Sequence, residues 1–205
     1  ARALEATLET HLAYVLTGHS TIDEISRAGI DGLTRVLQQR TSVEAGRPLP
    51  VDLARDELAF FPLLYWPITP EQPDLNEAAV RSVNASLRNG GTILFDLREP
   101  GATTQMFGRA TRGGQALQRL TRDIEIPPLA PIPPDHVLTK SFYLMQDFPG
   151  RFADAALWLD AAESQVNDGV ASVLIGSNDW AGAWAINEFG QYMFPVVPGG
   201  ERQRE

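Results

Sequence analysis

The residues able to do chemistry in this chain are few. There are three histidines and no cysteine. Of the histidines, His19 follows an apolar run ending in Gly18, His136 lies in a proline-rich stretch, and His11 precedes the apolar run, at the opposite edge of whatever that run forms. Asp96 and Asp179 each follow an apolar run. A metal centre needs three or four converging ligands, and no His-x-His or His-Glu-x-x-His spacing occurs. The one set that could converge is His19, Asp96, His136 and Asp179, and the same four could serve a hydrolase as acids and bases. A solvated loop position for His19 is the plainer expectation, and no metal or cofactor is expected. Ser20, Ser141 and Ser177 fall near strand ends, but none sits in a Gly-x-Ser-x-Gly elbow. Ser20 and Ser177 read better as helix caps.

The remaining charged and aromatic positions each carry a plain and a sharp reading. Asp96, with Arg98 and Glu99 after it, either fastens the next loop by accepting backbone N–H groups or anchors a ligand in a crevice. Asn178 and Asp179 either cap a final helix or touch that ligand. Lys140 is the only lysine, and its compact charge suits acid–base or phosphate work, although lysines are mostly solvated. Tyr65-Trp66-Pro67, Trp180 and Trp184 either seal the core or line a recognition groove for a protein. The run from Gly108 to Gly114 is rich in glycine and arginine before a helix, but it matches neither the P-loop nor the dinucleotide fingerprint.

These positions need elements to carry them, and Asn89 to Arg98 supplies the organising step. A helix capped by Asn76, with Val80, Val83 and Leu87 on one stripe, ends at Gly90-Gly91. Thr92-Ile93-Leu94-Phe95 then follows as a strand buried on both faces, opening at Asp96. Leu12 to Gly18 reads as an earlier strand. It feeds a helix to about Arg40, whose capping box is Thr21 and Glu24. Thr41 to Asp56 reads as loop, Glu57 to Trp66 as a second strand in which Pro62 donates no ladder hydrogen bond, and Gly101 to Gly114 as loop. Leu117, Leu120 and Ile124 mark a third helix, and Ile126 to Pro134 an extended polyproline-like connection. Val137 to Met145 could hold a short strand, and Ala153 to Ala162 suits either a helix or an edge strand. Val170 to Gly176 is a last core strand, leading into a helix that carries Trp180 and Trp184.

Repeated strand-turn-helix units predict a three-layer α/β sandwich with a mostly parallel, flavodoxin-like sheet, as one domain over residues 1–205. Ligands in such sheets bind at the carboxyl ends of the strands. The candidate binding residues are therefore Gly18, His19, Trp66, Asp96, Arg98, His136, Lys140, Asn178 and Asp179. A net charge of −9 argues against a nucleic-acid groove. The longest apolar stretch, Leu58 to Ile68, carries two prolines and is too short to span a bilayer. The chain begins at Ala1 without an initiator Met or a signal peptide, as expected of a piece of a longer protein.

The order of motifs resembles a bacterial family known as domain of unknown function 4159, itself similar in fold to class I glutamine amidotransferase domains. The matching stretches are Leu12 to Gly18, Asp56 to Pro62, Tyr65-Trp66-Pro67, Asn89 to Asp96, Asp135 to Tyr143, Asp147 to Arg151, Ser177-Asn178-Asp179 and Gly199 to Glu205. The resemblance implies an amidotransferase-like fold at the C-terminus of a membrane-anchored, aerotolerance-type protein. It also implies MoxR-type ATPase and von Willebrand factor A-type partners, and a further helix after Glu205 that would cover an apolar sheet face. An amidotransferase needs a nucleophilic cysteine, and this chain has none. Two readings follow: a non-catalytic domain that binds a partner or ligand, with oligomerisation possible, or a hydrolase built on Asp96, His19, His136 and Asp179.

Overall fold

A computed structural model describes residues 10–100, 111–140, 148, 150–153, 156–161 and 170–196. Seven strands form one sheet in the order β2-β1-β3-β4-β7-β6-β5. They are β1 (Ala13–Val15), β2 (Leu49–Val51), β3 (Leu63–Pro67), β4 (Thr92–Asp96), β5 (Leu129–Pro131), β6 (Trp158–Asp160) and β7 (Val173–Gly176). The helices are α1 (Ser20–Arg40), α2 (Glu77–Arg88), α3 (Arg112–Leu120), α4 (Val137–Lys140) and α5 (Trp180–Trp184). From β2 through β7 all neighbours run parallel, whereas β6 and β5 are added antiparallel. The parallel part has the strand order of a doubly wound, flavodoxin-like sheet, with its switch point between β1 and β3.

Strand alternation assigns the two faces. Val15, Leu64, Trp66, Ile93, Phe95, Val173 and Ile175 point to one side. There they pack with Val83 and Leu87 of α2 and with Ala116, Leu117 and Leu120 of α3. Tyr14, Tyr65 and Leu94 point to the other side, toward Ile30 of α1 and Ala181 of α5. The result is the expected three-layer α/β sandwich. The carboxyl ends of β1, β4 and β7 share one edge, so Gly18, Asp96 and Gly176 all lie along it.

Several local expectations give way to the structure. Within 41–56, Leu49-Pro50-Val51 pairs with β1 as an edge strand, where Pro50 leaves no interior ladder bond unmade. Leu58–Phe60 is a 3₁₀ turn and the third strand starts only at Leu63, because Pro62 cannot donate to a ladder. Leu129–Pro131, expected as a free polyproline-like connection, is extended but paired with β6. Trp158–Asp160 is indeed a strand, yet it is interior, lying between β5 and β7.

Val137–Lys140 is a helical turn and not a strand. The His136 carbonyl accepts from the Thr139 amide at 3.0 Å, and the Thr139 hydroxyl lies within reach of the Pro134 and His136 carbonyls. These local bonds outweigh the β-character of the sequence. The remainder of that expected strand, 141–145, and most of the Gly101 to Gly114 loop lie outside the described residues.

The start of α1 also departs from expectation. No side chain caps it at His19, and Glu24 pairs with Arg27 instead of closing a capping box. Asp23 reaches back across the turn, where its Oδ1 accepts from both the amide and the hydroxyl of Thr17, at 2.8 and 2.7 Å.

The five-residue helix α5 is too short to be stable alone and is held by its seat on α1. A Cβ added at Gly29 would overlap the Ala181 carbonyl, and one at Gly32 would overlap the Trp184 carbonyl. The missing side chains thus let the two backbones touch. Gly29→Ala or Gly32→Ala is expected to lower stability by about 1–3 kcal/mol through overpacking. Arg81→Ala, which breaks only an exposed pair with Glu77, should stay within about 0.5 kcal/mol of wild type. Urea denaturation read by circular dichroism checks both.

Candidate functional site

The polar residues of the carboxyl edge gather around Asp96, which is fully buried. It ends β4 on the same face as Tyr65, and the Tyr65 hydroxyl donates to its Oδ2 at 2.9 Å. The other three donors are backbone amides: Arg98 at 3.0 Å, Asp179 at 3.2 Å and Trp180 at 2.8 Å. One carboxylate therefore joins β3, the turn after β4 and the turn that opens α5. The loop-fastening reading of Asp96 is the one realised.

Asp179, 1% exposed, is the second centre. Its Oδ1 accepts from Arg98 Nε at 3.0 Å and from the Gly182 amide at 3.3 Å, which caps α5. Its Oδ2 accepts from Arg151 at 3.3 Å. The Arg151 guanidinium in turn lies 4.3 Å from the centre of the Phe194 ring, a cation–π contact. Arg98 and Asp179 both hold left-handed backbone angles, with φ of 55° and 52°. Such conformations cost non-glycine residues energy and persist where surrounding bonds over-determine them. Here the Asp96 carboxylate takes the amide of each residue, and their side chains pair with one another.

The electrostatics follow from burial. Desolvation pushes the Asp96 carboxyl up to about 6 and the nearby Asp179 charge adds to it, while the amides of Trp180 and Arg98 and the Tyr65 hydroxyl pull it back. Burial, then the charges of Asp96 and Asp179, drives the Tyr65 phenol well above its ordinary value. For Arg98, burial pulls downward but is outweighed by Asp179 beside it, leaving the guanidinium above its ordinary value.

The other candidate residues are dispersed. Gly18 and His19 are exposed after β1, which β3 separates from β4 in the sheet. His136 Nδ1 accepts from the Leu138 amide at 3.2 Å. Lys140 is exposed at the end of α4. Asn178 is buried and donates to the Phe148 carbonyl at 2.7 Å, and its Oδ1 has no partner. Trp66 lies in the core with no exposed surface. It packs 5.1 Å from the Phe95 ring and donates its indole N–H to Gln72. Its place on a recognition rim is thereby excluded by strand alternation, which turns Tyr65 to the site and Trp66 away from it. His11 is buried too, with Nδ1 2.8 Å from the Arg47 carbonyl. Among the described residues no three His, Asp or Glu side chains converge as a metal site would require.

Sequence reasoning missed Tyr65 as the partner of Asp96 and Arg151 as the second cation on Asp179. The first was recoverable from period-two alternation. The second depends on a contact across 28 residues of chain, for which no local pattern exists.

Asp96 also generates a pH prediction. Its folded pKa of about 6 stands above an unfolded value of about 3.9, so the folded state binds the proton more tightly. The contribution of this group is complete below about pH 4 and is lost as pH rises through about 6, on the order of 3 kcal/mol in all. Asp96→Asn is expected to remove that component and to cost about 1–3 kcal/mol at pH 4, since an amide NH₂ would face backbone donors. Urea denaturation of both proteins from pH 4 to 7.5 measures it. An unaltered pH slope in the variant would assign the dependence elsewhere.

No curated protein matches the chain. A family model described as a domain of unknown function (DUF4159) matches residues 11–205. That span takes in the buried carboxylates, the sheet and the helices on both faces, and the chain belongs to the DUF4159 family.

Proposed function

We propose that this chain is a non-catalytic, amidotransferase-like interaction or ligand-binding domain of a membrane-anchored, aerotolerance-type protein. Its expected partners are a MoxR-type ATPase and von Willebrand factor A-type proteins, and these come with the family resemblance. The observation that carries the non-catalytic part is the state of Asp96 and Asp179. Both carboxylates spend their acceptor capacity on internal amides, one phenol and two guanidinium groups. A general acid or base needs a face open to substrate. An amidotransferase likewise needs the cysteine that the chain lacks.

The hydrolase alternative asks for a histidine on one of these aspartates. His19 is exposed beyond β1, and His136 is engaged with the Leu138 amide. Among the described residues no helix is long and apolar enough to cross a membrane, so anchoring would fall to other parts of the parent protein.

The test is affinity capture of the intact parent protein from membranes, run beside a hydrolase assay on ester, amide and phosphoester substrates. Recovery of a MoxR-type ATPase is expected, unaffected by the double substitution His19→Ala/His136→Ala, with no turnover in either protein. Turnover that the double substitution abolishes would overturn the proposal in favour of the hydrolase.

A further inference from the structure

Among the described residues, α1 and α5 leave part of their sheet face uncovered. A cavity of about 270 Å³ opens there. Its floor is Leu63, Leu94 and Leu174, contributed by three adjacent strands. Ile30 of α1 forms one wall, Trp180 of α5 another, and Leu138 of α4 stands at the rim, 38% exposed. We infer that this cavity is a binding site for a single aliphatic chain of about ten carbons.

Three observations carry the assignment. The first is chemistry: the polar groups on the lining are already engaged inside the protein. The Tyr65 hydroxyl donates to Asp96, and the Trp180 indole N–H donates to the Phe148 carbonyl at 3.1 Å. Among the described residues no charged side chain lines the cavity. A ligand with donors or acceptors along its length would lose its hydration and find nothing in return, whereas hydrocarbon loses nothing.

The second observation is rigidity. The α1 wall sits backbone to backbone on α5 through Gly29 and Gly32, and the Trp180 ring lies on Gly176, where any Cβ would strike it. The amide of Trp180 is fixed to Asp96. Walls held in this way do not collapse to fill the space, and preformed apolar concavities are where small ligands bind. The third is size. An apolar cavity of about 150 Å³ accepts the six carbons of benzene, so 270 Å³ accommodates about ten. The head of such a molecule would lie outside, past Leu138.

This assignment rests on the ligand-binding arm of the proposed function. A domain that captures its partner proteins yet ignores alkyl chains loses the assignment and keeps that reading. The test is titration with straight-chain alcohols from butanol to hexadecanol, read by calorimetry and by tryptophan fluorescence, since Trp180 and Trp184 both line the cavity. Saturable binding near one equivalent is expected, with affinity rising roughly fourfold per added carbon up to decanol and levelling beyond it. Leu94→Phe, which narrows the floor, and Leu138→Asp, which places a charge at an exposed rim position, should each weaken decanol binding at least tenfold with unchanged circular dichroism. Three results would overturn the inference: affinity that keeps rising past decanol, binding that neither substitution alters, or a dimer that decanol dissociates. The last would make this face an interface between two copies.

Discussion

The carboxylate of Asp96 is the contact on which the carboxyl edge depends. Burying a charge without partners is expensive, and the chain meets that cost with four hydrogen bonds drawn from β3, the turn after β4 and the start of α5. Because those bonds come from segments far apart in sequence, the carboxylate behaves as a rivet. The raised pKa shows that the compensation is incomplete at neutral pH. The two left-handed residues, Arg98 and Asp179, are the geometric consequence of bringing their amides onto one acceptor.

From that rivet the rest of the α1 and α5 face follows. With Asp96 holding its first amide and Asp179 capping Gly182, α5 is fixed at its amino end. Gly29 and Gly32 then let it lie directly on α1. Neither contact is strong by itself, but each removes freedom that the other would have to restrain. The product is a helix of only five residues that nonetheless serves as a wall. Between it and the strands lies an apolar concavity that the side chains do not fill.

The same arrangement puts buried acidic residues to structural use. Acidic residues at strand ends in α/β folds are natural suspects for catalysis, and here they are consumed in holding loops. Asp160 acts alike at the end of β6, accepting from the amides of Ser172 and Val173 at 2.9 Å each and so setting the start of β7. The chain uses buried aspartates as fasteners where a turn must be held without glycine or disulfide. The apolar concavity lies on the same sheet face as this cluster, since Tyr65 both lines it and donates to Asp96.

The sequence by itself determined the elements whose signals are local and strong: the α2 to β4 step, the amphipathic α1, the last strand and the parallel, layered class that repeated βα units imply. It also marked Asp96, Arg98 and Asp179 as residues sharing an edge, because parallel strands put their carboxyl ends together. Tertiary structure decided what those residues do, since a carboxylate is a base or a fastener according to which donors reach it, and Tyr65 and Arg151 arrive from distant parts of the chain. It likewise decided the edge strands at Leu49–Val51 and Leu129–Pro131, which contain proline and form only because a neighbouring strand offers a ladder. The cavity was the least legible feature of all. An unfilled space is the sum of what several elements fail to cover, and no single stretch of residues encodes it.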